Sequence, residues 1–496
     1  MEVQDKYDFI IIGGGVVGCI IARTLSRFEG SILLIEKEAD LCMGTTAANT
    51  AIVHAGYDPL PNTLKARMNV KGNAMWDQLA GELNFAFERH GDFVVAVGED
   101  EMPALDVLME HAKENGVPGC KILDGPEVRR REKNITPETS GALWASTGGI
   151  CDPFAVTFAA AENAVMNGAV VKLNTKFEDF IMDGDRIIGI KTNNGDFLSR
   201  WVINAAGLFS DVVMHKAGVR PEFIIKPRKG EYFVFDQADV QIDNVLFPVP
   251  SDKGKGVLVT TTVHGNTILG PNANIIDDKQ DTSTTTQGMD EIWAGARKLI
   301  PSLSRKYIIA TFAGLRPMGN APCKTPGVNY NADYIIEIPE EVKGFVNLGG
   351  IESPGLASSP AIAQEVVDLL TDAGEDLRVK KDWDPIRPSR PRFREMSQKD
   401  RKLLVEMDPR FGRIICRCEY VTEGEIIAEI HAPIPATTYD AIKRRTWLGT
   451  GRCQGGFDTP RVVEILAREL GVSPLEISKQ GEDSKFLYRP TKNVEN

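Results

Sequence analysis

The chain has 496 residues, enough for two to four domains and too many for one small binding module. Hydrophobic residues make up 42% and charged residues 25%, the balance of a folded globular protein, which excludes collagen-like and low-complexity classes. The 57 basic and 69 acidic residues give a net charge of −12, so a nucleic-acid binder, which needs a positive footprint, is disfavoured.

In chain order, Phe9-Ile-Ile-Ile12 is a β-branched run suited to a parallel strand buried on both faces. Gly13-x-Gly15-x-x-Gly18 follows, then a helical stretch to about Phe28 and a second apolar run, Ile32 to Ile35, ending in Glu36. The stretch Phe9 to Ala22 is broken by glycines and falls short of the roughly 20 residues needed to span a membrane. Asp5 and Asp8 spoil a basic leader, so a cytoplasmic protein with reduced thiols is expected, with room for peripheral attachment to a membrane. Leu64, Met68, Met75, Leu79 and Leu83 recur at helical spacing between Asn62 and Leu83 and read as a core-facing stripe. Strands are expected at Asp92–Val97, Gly168–Leu173, Arg186–Thr192, Tyr232–Phe235 and Gly256–Thr262. Arg129 to Arg131 read as a solvated helix end.

The fold class expected is α/β, with a Rossmann-like parallel sheet domain interleaved with a mainly antiparallel substrate domain and followed by a small, mostly helical module. The expected division is 1–80, 150–225 and 310–375 for the cofactor domain, 81–149 and 226–309 for the substrate domain, a 376–410 linker, a 411–480 module and a polar tail.

A strand, a glycine turn and a helix, with an acid 18 positions after the last glycine, form a dinucleotide site. Gly13, Gly15 and Gly18 let the backbone approach a pyrophosphate, and the Glu36 carboxylate accepts from ribose hydroxyls. The fingerprint alone leaves NAD and FAD open. The segment Thr45-Thr46-Ala-Ala-Asn49-Thr50-Ala51-Ile52-Val53-His54, with Asn204-Ala-Ala206-Gly207 and Gly350-Ile-Glu-Ser353-Pro-Gly355-Leu356, resembles the flavin motifs of the D-amino-acid oxidase superfamily. The resemblance covers roughly the first 375 residues and implies FAD, with Thr45, Thr46, Asn49, Ala51, Val53, Phe177, Ala206, Gly207, Gly350, Gly355 and Leu356 among its contacts.

Within that superfamily, His54-Ala-Gly-Tyr-Asp-Pro59, Lys226-Pro-Arg-Lys-Gly-Glu-Tyr232 and Thr311-Phe-Ala-Gly-Leu-Arg316 are similar to glycerol-3-phosphate oxidases and dehydrogenases. L-2-hydroxyglutarate oxidoreductases are similar around His54, and a non-catalytic flavin electron-transfer subunit is a third possibility. Oxidising a secondary alcohol needs a base for the hydroxyl proton, and an imidazole with an ordinary pKa of about 6.5 suits that task. His54 is the candidate. Arg316 is expected to pair with an anionic substrate group through its planar donors, with Ser353 and His264 as further substrate contacts.

Cys416-x-Cys418 and the later Gly451-Arg-Cys453-Gln-Gly resemble the 2Fe-2S domain of bacterioferritin-associated ferredoxin, a relative of which is appended to anaerobic glycerol-3-phosphate dehydrogenases. Four thiolates normally hold such a cluster, but the fourth position here is Asp458. That residue either completes an unusual site with a harder oxygen ligand or caps the helix that Thr459-Pro460 begins. Cys19, Cys42, Cys120, Cys151 and Cys323 read as scattered structural thiols. The partners expected are an anionic small molecule and an electron acceptor, either a protein or a quinone-linked subunit. An appended redox module favours a dehydrogenase over an oxidase.

Overall fold

The computed structural model describes residues 5–237, 240–250, 256–320 and 333–490. Strand β1 (Lys6–Ile12) lies between β2 (Ile32–Ile35) and the strand Gly195–Asn204, both parallel to it, with Phe9 facing Ile32 and Trp201 across the ladder. Ile10 and Ile11 are both fully buried. Both faces of β1 are covered, which is why its sequence shows a continuous apolar run instead of alternation. Val170–Lys172 extends the sheet beyond β2, and Phe345–Gly349 adds a parallel strand beside Gly195–Asn204.

Helix α1 (Val16–Leu25) packs on this sheet with the helices Pro153–Met166 and Gly355–Asp372, and ends three residues short of the Phe28 expected for it. Helix α2 (Leu64–Leu83) opens on a Thr63 cap, whose hydroxyl accepts from the Ala66 amide at 3.1 Å, and stops at Asn84 in the left-handed region. Met68, Leu79 and Leu83 are core residues, but Met75 is 37% exposed. Trp76 takes the buried position beside it and donates its indole N–H to the Ala357 carbonyl at 3.0 Å.

A nine-stranded, mainly antiparallel sheet forms the second layer, from Asn274–Ile275 at one edge to Cys120–Asp124 at the other. Its longest pair is Ile225–Phe235 against Ile308–Gly319, a register that sets Arg228 opposite Arg316. The Ile308–Gly319 strand thus belongs to this sheet.

The stretch expected as a linker is laid against the first domain: Arg387 and Arg390 both bind the buried Glu162 carboxylate at 2.7 Å. Arg390 also reaches Glu429 of the last module at 2.7 Å. That module consists of the helices Glu423–Ile430, Tyr439–Thr446 and Thr459–Leu470 with a two-stranded ribbon, Ile414–Cys416 and Val421–Thr422, around its own core. No helix among the described residues is long and apolar enough to cross a membrane.

Candidate active site and redox module

Between the two sheets runs a cavity of about 1650 Å³, which begins at the glycine turn and ends among the strands of the second sheet. Gly13 sits at φ +114°, and a Cβ there would strike the backbone of Ala205. A Cβ on Gly18 would strike the Gly13 carbonyl, so the third glycine allows helix and strand to meet and does not line the cavity. The N-cap of α1 is Gly15, which has no side chain to cap it, and the first turn opens on the cavity through Gly15, Val16 and Val17. The Glu36 carboxylate is fixed by the amides of Gly14 at 2.7 Å and Glu38 at 3.0 Å, while burial raises its pKa. A helix start that opens on the cavity, a fixed carboxylate and a turn with no room for side chains fit an adenosine diphosphate.

Thr45, Thr46, Asn49, Ala206, Gly207, Gly350, Gly355 and Leu356 line the same cavity. The Thr46 hydroxyl accepts from the Val16 amide at 3.1 Å, and the Thr45 hydroxyl donates to the Leu315 carbonyl at 2.8 Å, tying this segment to α1 and to the second sheet. Ala51 and Val53 are buried behind the lining. Phe177 is not among the lining residues: its ring packs on Phe180, 4.7 Å between centroids, against the core that holds Ile10, Ile12 and Leu33.

His54 and Arg316 face this cavity, together with Ser353. The His54 carbonyl accepts from Asn69 at 2.8 Å and Asn73 at 3.0 Å, two buried amides of α2 that fix the backbone. Its Nε2 lies 3.4 Å from the Ser353 hydroxyl, and its ring lies 5.7 Å from that of Phe247. The Arg316 guanidinium donates to the carbonyls of Asn272 at 2.8 Å and Arg228 at 3.1 Å, which set its plane without neutralising its charge.

Three residues outside the expected set complete this end of the cavity. Glu352, 5% exposed, pairs with Lys65 at 3.1 Å and Arg228 at 2.8 Å. Burial would raise its pKa, but Lys65, Arg228 and Arg316 hold it below its ordinary value. Three cations against one carboxylate leave a net positive subsite, matched to an anion. Arg228 lies inside the Lys226–Tyr232 motif but gained meaning only from its cross-strand register with Arg316. Lys65, in the first turn of α2, carries no sequence signal.

His264 is not among the lining residues, and the expectation that it contacts substrate is corrected. Its Nε2 lies 3.1 Å from the Asp152 carboxylate, and its ring lies 4.1 Å from that of Trp447. The Trp447 indole donates to the same carboxylate oxygen at 2.9 Å. The turn carrying His264 leads toward the last module, which explains the placement. That module is also anchored through Asp40, which binds Arg444 at 2.7 Å and Arg445 at 2.8 Å. The C-terminal residues Gln480 and Asp483 join the cavity lining near Glu36 and Lys37.

In the module, Cys416 is buried beside Asp458, and Cys418 interacts with Cys453. Burial pushes the Cys416 thiol up to about 12. Among the described residues, no three His, Cys, Asp or Glu side chains converge as the shell of a single metal ion. A 2Fe-2S cluster asks for something else: each iron shares two bridging sulfides and takes two protein ligands, so donors come in pairs. The side chains that meet here do so in two pairs, Cys416 with Asp458 and Cys418 with Cys453. Cys19, Cys42 and Cys151 are buried single thiols, Cys120 is half-buried, and Cys323 lies outside the described residues.

Sheet order, glycine turn and cavity together define a dinucleotide-binding protein. The chain matches the FAD dependent oxidoreductase family over residues 8–369 and belongs to it. It also matches the BFD-like 2Fe-2S binding domain over residues 414–468. Glycerol 3-phosphate dehydrogenase of Caloramator mitchellensis is 45% identical over 490 residues, 98% of this chain and 99% of that protein. Glycerol 3-phosphate oxidase of Mycoplasma genitalium is 32% identical, covering 76% of this chain and 97% of that protein. Among solved structures, the dithionite-reduced L-alpha-glycerophosphate oxidase of Mycoplasma pneumoniae with FAD bound is similar at a TM-score of 0.72 and 29% identity, over 78% of this chain and 100% of that one.

Proposed function

We propose that the chain oxidises glycerol 3-phosphate to dihydroxyacetone phosphate and works as a dehydrogenase. The observation that carries this reading is the cationic subsite of Lys65, Arg228 and Arg316 in the cavity that also holds His54. A phosphate held there is bound by charge-assisted donors from two paired strands of one sheet and from one helix. His54 takes the proton of the secondary hydroxyl at Nε2, and the Ser353 hydroxyl beside it orients that hydroxyl. The FAD that the glycine turn and its neighbours would hold would supply the hydride acceptor for the carbon that bears this hydroxyl. The proton and the hydride together account for the two hydrogens lost on going from alcohol to ketone.

The 2Fe-2S domain gives the electrons an exit other than dioxygen, and supports an acceptor that is a protein or a quinone-linked subunit. The working location is the cytoplasm or the inner face of a membrane. Anaerobic titration of the flavin absorbance tests the substrate assignment. Glycerol 3-phosphate is expected to bleach the flavin, whereas glycerol, lacking the anion, does so poorly. Bleaching by 2-hydroxyglutarate but not by glycerol 3-phosphate would replace the reading.

A further inference from the structure

An Asp at a helix start followed by Thr-Pro normally caps the helix, its carboxylate accepting from the amides of the first turn. Asp458 occupies that position before Thr459–Leu470, yet its side chain makes no capping hydrogen bond. It is turned inward instead and is 1% exposed. One oxygen, Oδ1, accepts from the Tyr439 hydroxyl at 2.8 Å. The other, Oδ2, is buried and meets no hydrogen bond of good geometry, only the Cys416 thiol standing beside the carboxylate, an arrangement that costs free energy unless a donor or a cation completes it. Cys416 lies beside this carboxylate, and its sulfur receives the Gly449 amide at 3.5 Å. The backbone N–H of Cys453 is directed at Cys418.

We propose that Asp458 is the fourth ligand of a 2Fe-2S cluster, bound through Oδ2 and sharing one iron with Cys416, while Cys418 and Cys453 hold the other. Tyr439 is a positioning residue: by occupying Oδ1 it leaves one oxygen for the metal. The shell is asymmetric in two ways. The iron of Cys416 and Asp458 is buried and has a hard oxygen ligand, whereas the iron of Cys418 and Cys453 stands at the surface with two soft thiolates. This assignment is independent of the substrate.

The test is anaerobic reconstitution of the full-length chain with ferrous iron and sulfide, followed by iron and sulfide analysis and Mössbauer spectroscopy. The wild type is expected to take up two irons and two sulfides, with two inequivalent iron sites. Asp458→Cys should keep the iron and make the two sites more alike. Asp458→Ala should lose iron to a chelator about tenfold faster or more, and Tyr439→Phe should shift the spectrum of one site while keeping the iron. Far-ultraviolet circular dichroism confirms that each variant is folded. Unchanged iron retention and spectrum in Asp458→Ala overturns the proposal. So does a wild type that takes up no iron, whether or not Asp458→Cys does.

Discussion

His54 is fixed by its backbone: two asparagines of α2 hold its carbonyl, and the Ser353 hydroxyl stands 3.4 Å from Nε2 at the cavity wall. A base whose backbone is held this way keeps its ring at one place beside the substrate. Replacing His54 by Gln is therefore expected to slow flavin reduction about 100-fold while FAD absorbance is retained, measured by anaerobic stopped flow at saturating substrate. Arg316 and Glu352 should separate differently. Arg316→Ala removes a charge-assisted contact made equally in ground and transition states, so KM should rise about tenfold or more with kcat little changed. Glu352→Gln leaves every cation in place but frees Lys65 and Arg228 from their common partner. The subsite then gains net charge and loses order, and steady-state kinetics should show KM and kcat moving together.

At the scale of elements, the contact between α1's domain and the last module turns on one carboxylate. Asp40 is 1% exposed and Arg445 is 4% exposed, with the Arg445 guanidinium 3.7 Å from the centre of the Phe158 ring. Burial would raise the Asp40 pKa, but Arg445 and Arg444 hold it below its ordinary value. Its contribution to stability is therefore present above the unfolded-state pKa of about 3.9 and is lost as pH falls through the lower folded value. Asp40→Asn takes from the buried Arg445 its hydrogen-bonded counter-charge, leaving only the more distant Glu429 and Glu162, and should cost about 3 kcal/mol in denaturant unfolding at neutral pH, with a shallower acid limb. None of this was readable from the sequence, where Asp40 and Arg445 lie far apart and each looks like an ordinary surface charge. The glycine turn, the buried strands and α2 were readable because their signals are local: a β-branched run, a spacing, a helical period. Arg228 gained its role from a strand register and Lys65 from where α2 is placed, and neither leaves a local trace. His264 misled because a histidine in a turn looks the same whether it faces a cavity or a neighbouring module.

Across the whole molecule, the last module is part of one packed body. Ile434, on the loop between two of its helices, is buried in the core shared by α1, α2 and Trp76, and Arg390 bridges the carboxylates of Glu162 and Glu429. Calorimetry of the intact protein should accordingly give one unfolding transition; two well-separated transitions would mean that the module behaves as an independent unit. The presence of Gln480 and Asp483 in the wall beside Glu36 has a consequence in time. The ribosome delivers the glycine turn well before this part of its enclosure. A nascent chain thus meets its nucleotide with the door still missing, and secure retention must wait until Gln480 and Asp483 have been made and folded back. Proteolytic trimming of that late stretch would reopen the same door, loosening the cofactor while leaving every residue that touches the reacting carbon in place.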